Sequence, residues 1–175
     1  QELTNLAWAY ATLEVADEPL MHSIAQESAA RITEFKPFNL AIMVWSFAKL
    51  LVRDEPVMDT LSCMSQERVQ QFGSQELSNT VWAYATLSIK DHPLFDAIAQ
   101  AAIAVHHTFV PQHIANTVWS FAEIFVWHNP LMNVLSMTSA RTTGRRFGDM
   151  HALFWSLAHG LTWPSLREAF ENRIA

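Results

Sequence analysis

Asn79-Thr80-Val81-Trp82-Ala83-Tyr84-Ala85-Thr86-Leu87 decides the reading of this chain, because versions of it return at a nearly fixed distance. They are Asn5-Leu6-Ala7-Trp8-Ala9-Tyr10-Ala11-Thr12-Leu13, Val44-Trp45-Ser46-Phe47-Ala48-Lys49-Leu50, Asn116-Thr117-Val118-Trp119-Ser120-Phe121-Ala122 and Phe154-Trp155-Ser156-Leu157-Ala158. The five tryptophans are 37, 37, 37 and 36 residues apart. Pro19, Pro56, Pro93 and Pro130 each follow their tryptophan by 11 residues, and Phe35, Phe72, Phe109 and Phe147 keep nearly the same step. A period in this range marks a stack of supersecondary units, each unable to bury its apolar face without a neighbour. Residues 1–37 and 75–111 share 19 identities in 37, and Trp-Ala-Tyr-Ala alternates with Trp-Ser-Phe-Ala, so a pair of units was duplicated.

Each unit reads as two helices. The first carries the tryptophan; in the third unit it is expected over about residues 75–87, with Leu77, Val81, Tyr84, Ala85 and Leu87 gathered on one face. The second begins at Asp17-Glu18-Pro19, Asp54-Glu55-Pro56, Asp91-His92-Pro93 and His128-Asn129-Pro130, where a capping side chain precedes a proline whose missing N–H costs nothing in a first turn. It is expected to close near Phe35, Phe72, Phe109 and Phe147, before Pro37, Gly73, Pro111 and Gly148. The fold class that follows is all-α: an α-solenoid of five paired-helix repeats of about 37 residues, forming one array with units 1–37, 38–74, 75–111, 112–148 and 149–175. Gln1 opens its unit as Gln75 does, which suggests an excerpt of a longer array.

Half of the residues are hydrophobic, so burial is not in short supply, whereas charged residues make up only 16%. A surface that sparsely charged suits a chain partly covered by a partner. The net charge of −6 has the wrong sign for an autonomous phosphate-binding surface. One cysteine, Cys63, excludes an internal disulfide and mildly indicates a reducing compartment; it is expected to pack in the second helix of its unit as a small hydrophobe. No apolar run is long enough to span a membrane.

The stretch Leu-Ser-Asn-Thr-Val-Trp-Ala-Tyr-Ala-Thr-Leu, followed by Pro-Leu and a second helix, resembles the octotricopeptide repeats of algal organelle proteins and the related repeats of FAST-kinase-like and RAP-domain proteins. The resemblance runs along the whole chain and implies a paired-helix array in a plastid or mitochondrion, active in RNA binding, processing, stability or translation. Ile42 and Ala152 stand where that motif has asparagine, and no RAP domain is recognisable.

On a wheel at 100° per residue, Asn79, Trp82, Ala83 and Thr86 point away from Leu77, Val81 and Tyr84. The equivalents of Thr86 form a column of changing chemistry, Thr12, Lys49, Thr86, Glu123 and His159, suited to contacting a varied ligand such as one base per repeat. Asn5, Asn79 and Asn116 form a nearly constant column that either bridges neighbouring units through amides or contacts RNA. The tryptophans either pack between hairpins or stack on bases. Arg141, Arg145 and Arg146 could touch phosphate or an acidic partner, or complement a helix C-terminus. His106, His107 and His113 lack metal-ligand spacing, and no nucleophile elbow, phosphate-cradling loop or zinc-protease motif occurs. The expectation is a non-catalytic module with no cofactor and no metal, its partner either single-stranded RNA or the protein subunits of a large organellar assembly such as a ribosome or photosystem. Convergence of the basic residues on one groove would favour RNA, and a neutral, apolar face would favour protein.

Overall fold

The computed structural model of the chain describes residues 1–143. These form eight α-helices and three short 3-10 turns, and no strand is present among the described residues. The helices are α1 (Glu2–Leu13), α2 (Glu18–Ala30), α3 (Pro37–Lys49), α4 (Glu55–Arg68), α5 (Ser74–Thr86), α6 (His92–Ala104), α7 (Pro111–Glu123) and α8 (Asn129–Thr143). The protein is all-helical over this range. The fifth unit expected over 149–175, with His159, lies outside the described residues, as do Arg145, Arg146 and the Phe147 closure expected in the fourth unit.

Consecutive helices pair as hairpins, α1 with α2, α3 with α4, α5 with α6 and α7 with α8. The odd-numbered helices also pack side by side in chain order, as do the even-numbered ones, giving an A layer and a B layer. Small side chains permit the close approach in the A layer: Ala7, Ala11, Ser46, Ala48, Ala83, Ala85, Ser120 and Ala122 are all buried. Larger residues fill the space between layers, among them Phe47, Tyr84, Phe95 and Phe121, with the last two rings edge to face at 5.0 Å. The Tyr84 hydroxyl donates to the Met58 carbonyl at 2.6 Å and so ties α5 to the preceding hairpin. Burial, then the Asp91 and Asp59 carboxylates, push its pKa well above the ordinary phenol value, which keeps it a donor.

The sequence of each hairpin dictates its turns. Asp17, Asp54 and Asp91 cap the B helices by accepting the amides of Leu20, Val57 and Leu94 at 3.0, 3.2 and 3.0 Å. His128 does the same in the fourth hairpin, its Nδ1 accepting the Leu131 amide at 3.2 Å. Each of the four described A helices ends on a left-handed residue that is not glycine: Glu14, Leu51, Ser88 and Phe125, at φ 55, 56, 55 and 59°. The amides that follow reach back to the carbonyls of Tyr10, Phe47, Tyr84 and Phe121, a Schellman closure repeated in all four hairpins. The accompanying apolar contact has its residues in place, since Val52, Ile89 and Val126 pack against the core.

Three expectations need correction. The B helices stop at Ala30, Arg68 and Ala104 rather than at the phenylalanines; 3-10 turns follow, and Phe35, Phe72 and Phe109 cap those turns in extended conformation. Cys63 is exposed, because the buried side of α4 is Val57, Met58, Leu61, Ser62 and Ser65 and the cysteine falls outside it. Ala83 is buried rather than facing outward with Trp82. An A helix has neighbours on two sides as well as its own B helix beneath, so its buried arc is wider than a one-sided wheel allows.

Candidate interaction faces

The A layer carries one outward stripe per helix at spacing i, i+3, i+7: Asn5-Trp8-Thr12, Ile42-Trp45-Lys49, Asn79-Trp82-Thr86 and Asn116-Trp119-Glu123, exposed or half-buried throughout except at buried Trp119. The asparagine and tryptophan columns thus lie side by side on a single face. Asn5 is exposed and Asn79 and Asn116 are half-buried, and their side chains make no hydrogen bond among the described residues. The amide ladder between units therefore has no support here. Instead the units are joined by Tyr84 to Met58, by His22 to Asp54 at 3.1 Å, by Ser62 to Asp91, and by Arg68 to the carbonyls of Phe35 and Thr33.

The tryptophans differ along the stack. Trp8 is 48% exposed, Trp45 and Trp82 are half-buried, and Trp119 is 9% exposed. They serve as packing residues to an increasing degree from the first hairpin to the fourth.

The variable column also divides. The Thr12 hydroxyl donates to the Trp8 carbonyl at 2.8 Å, a back-bond within its own helix. Lys49 binds Glu14 of the neighbouring hairpin at 2.8 Å, and that hydrogen bond, then the lysine charge, holds the Glu14 carboxyl below its usual range. Thr86 is half-buried, with a hydroxyl that meets no partner among the described residues. Glu123 is exposed. Among the described members of the column, only Thr12, Lys49 and Glu123 present open side chains, and their chemistries share nothing.

Charge on this face is close to balanced. Of the described cations, Arg31 pairs with Glu34 and Glu27, Lys49 with Glu14 and Arg53 with Glu55, while Arg68 is spent on backbone carbonyls. Lys90 stands 5.8 Å from the Phe125 ring centre at the turn after α5, Lys36 precedes α3, and Arg141 is exposed near the end of α8. These three lie in separate places. No groove gathers them. The second unit's stripe is moreover apolar, since Phe38 is 55% exposed and continues into half-buried Ile42 and Trp45.

Elsewhere a shallow cleft of about 550 Å³ lies between the turns after α1 and α3, lined by Ala16, Pro19, Leu50, Leu51 and Val52 with Glu18, His22, Arg53 and Asp54 at its edges. No cluster of three His, Cys, Asp or Glu is placed to hold a metal among the described residues. His106 accepts or donates a 3.0 Å hydrogen bond with Thr138, and His113 turns its ring edge to face against Phe109. No described helix is long and apolar enough to cross a membrane.

What sequence reasoning missed is Phe38. It sits one turn before Ile42 on the same stripe, so the loss of asparagine at Ile42 and the gain of phenylalanine at Phe38 were together the signal for an apolar A face in that unit. No curated protein matches the chain. A family model described as RESC6, RNA-editing substrate-binding complex 6 protein, matches residues 1–161. With that match running through nearly all of its 175 residues, the chain belongs to this family of helical proteins of an RNA-editing complex.

Proposed function

We propose that the protein is a non-catalytic α-solenoid of five paired-helix repeats that serves a mitochondrial RNA-editing complex as a protein-binding scaffold. The observation that carries this reading is the charge layout of the A face: its lysine is neutralised by Glu14, no other cation among the described residues is paired onto it, and Phe38, Ile42 and Trp45 offer apolar area. A surface of that kind favours association with protein, where apolar burial drives binding, over counterion release from phosphates. Membership of an RNA-editing substrate-binding complex family supports the setting, and no feature supports a plastid. The likeness to octotricopeptide-like arrays is consistent with the stacked hairpins.

A second reading has its own observation. The amides of Asn79 and Asn116 make no hydrogen bond among the described residues and flank Trp82, a layout able to hydrogen-bond and stack bases of single-stranded RNA. Such contact would need cations other than those described over residues 1–143.

Affinity capture of the native complex separates the two. On the scaffold reading the protein stays bound after nuclease digestion, and Phe38→Ser with Ile42→Asn releases it while its helical content is unchanged. Release by nuclease alone, together with ultraviolet crosslinks from RNA to Trp82 that disappear in Asn79→Ala/Asn116→Ala, would replace the scaffold reading with the RNA one.

A further inference from the structure

Two of the left-handed residues that end the A helices are large and apolar. Leu51 and Phe125 hold φ at 56 and 59° and are 70 and 64% exposed, while Glu14 and Ser88 occupy the same place in the other two hairpins. A β-carbon is disfavoured in that region of backbone, where glycine or asparagine sits more comfortably. Leucine at such a place gains little burial in return. Neither the backbone nor the core accounts for Leu51, and residues of this kind gather where a surface is used.

Phe125 has a companion that Leu51 lacks. Lys90 belongs to the preceding turn and brings its amine to 5.8 Å from the Phe125 ring centre. In the turn that precedes Leu51 the equivalent position is Ala16, two 37-residue steps before Lys90. Alanine is too short to make that reach, and the cleft of about 550 Å³ opens there, walled by Ala16, Pro19, Leu50, Leu51 and Val52. Most of its charged lining is spent within the protein. Arg53 pairs with Glu55 at 3.1 Å, and Asp54 holds His22 at 3.1 Å and the Val57 amide at 3.2 Å. Glu18 is exposed, and its carboxylate has no partner among the described residues.

We propose that this cleft binds a segment of a partner protein through a lysine or arginine side chain and an apolar residue beside it. The methylene stem of the cation covers Leu51 and Pro19, filling the place that Ala16 leaves open, and its charge meets Glu18. A cavity of about 550 Å³ holds more than one such side chain, which gives the apolar neighbour its room against Leu50 and Val52. The one unpaired charge is negative, so the site selects a basic protein segment and repels phosphate. Leu51 lies beyond the C-terminal end of α3, whereas Phe38 stands at its start, so this surface is separate from the apolar A face and does not depend on it.

The test begins with Leu51→p-benzoylphenylalanine in the full chain within its native complex, with Gln70→p-benzoylphenylalanine, exposed in the turn after α4, as the control. Irradiation is expected to crosslink position 51 to a protein segment that carries lysine or arginine next to an apolar residue. Crosslinks to RNA, to a second copy or to residues 144–175 of the same chain overturn the proposal, as does a yield no higher than at position 70. The crosslinked segment is then made as a synthetic peptide and its binding to the full chain measured by fluorescence anisotropy. Leu51→Asn, which keeps a residue tolerant of the left-handed backbone, is expected to weaken binding at least about tenfold. Glu18→Gln, at an exposed position, is expected to weaken it about threefold at about 0.05 M salt and by less at about 0.5 M. Replacing the peptide's cation by alanine should abolish the effect of Glu18→Gln. Binding undiminished in both variants overturns the proposal. The A-face variant Phe38→Ser with Ile42→Asn is expected to bind the peptide as the parent does, and loss of binding there would move the segment to the A face and overturn the cleft.

Discussion

His22 Nδ1 lies 3.1 Å from Asp54 Oδ2, while the other oxygen of the same carboxylate accepts the Val57 amide at 3.2 Å. One aspartate thus caps its own helix and holds the B helix of the hairpin before it. Asp91 repeats the arrangement with Leu94 as the capped amide and Ser62 as the neighbour. At α4 and α6 the residue that starts the B helix is in this way also a stitch between hairpins, which gives its carboxylate a second use in a chain with few charges.

Asp17 performs only the first of these roles, since its recorded bond is to Leu20 within its own helix. Replacing it by alanine is expected to cost about 1 kcal/mol, the usual value of an N-cap. Asp91→Ala removes the cap and the Ser62 bond together and is expected to cost about 2–3 kcal/mol. Urea unfolding of the two variants checks the difference; equal midpoints would show that the stitch contributes nothing.

The tryptophans make a graded series. Trp119→Ala empties a nearly covered site and is expected to destabilise by about 3–5 kcal/mol, with Trp82→Ala below it and Trp8→Ala the mildest. Denaturant unfolding followed by circular dichroism gives the order. A Trp82 variant as stable as the parent would remove that side chain from the account of the core.

Much of the fold was legible because its signals are local. The Asp-x-Pro and Asp-Glu-Pro starts of α2, α4 and α6 carry their own cap chemistry, and the apolar side of α5 followed from spacing alone. The turns after the A helices were not legible. Glu14, Leu51, Ser88 and Phe125 share no side-chain property that announces a left-handed backbone; what fixes it is the reach of the next amide to the helix, and its sequence trace is only the Val or Ile seven residues after Trp8, Trp45, Trp82 and Trp119. Ala83 was misplaced because a wheel knows one helix, not the two beside it. The candidate face was half legible: the shared side of the asparagine and tryptophan columns followed from spacing, but the pairing of Lys49 with Glu14 joins residues 35 positions apart and needed the packed structure.

Leu51 offers a stability gain that does not touch the core. It holds φ at 56° with its side chain 70% exposed, so a β-carbon is strained there for little burial in return. Leu51→Gly is expected to raise stability by about 0.5–1 kcal/mol, the relieved strain exceeding the added freedom of the unfolded chain. A thermal melt decides it. A lower midpoint would mean that Leu51 contributes to the cleft beside Val52 more than its exposure indicates.

His113 is expected to make the fold sensitive to acid. It sits on α7 with its ring edge to face against Phe109, and its Nδ1 is buried without a hydrogen-bond partner among the described residues. Burial lowers its pKa below the ordinary histidine value, and the Glu76 carboxylate opposes that shift only in part. The unfolded chain, with a histidine pKa of about 6.5, therefore takes up this proton before the folded one does as pH falls. The contribution of neutral His113 is fully present above that value and is lost as the pH drops through it towards the lower folded pKa. Urea midpoints taken at about pH 8 and about pH 5 should converge in His113→Gln relative to the parent, because glutamine keeps a polar side chain but cannot titrate. An unchanged spread between the two pH values would place the acid sensitivity on other groups.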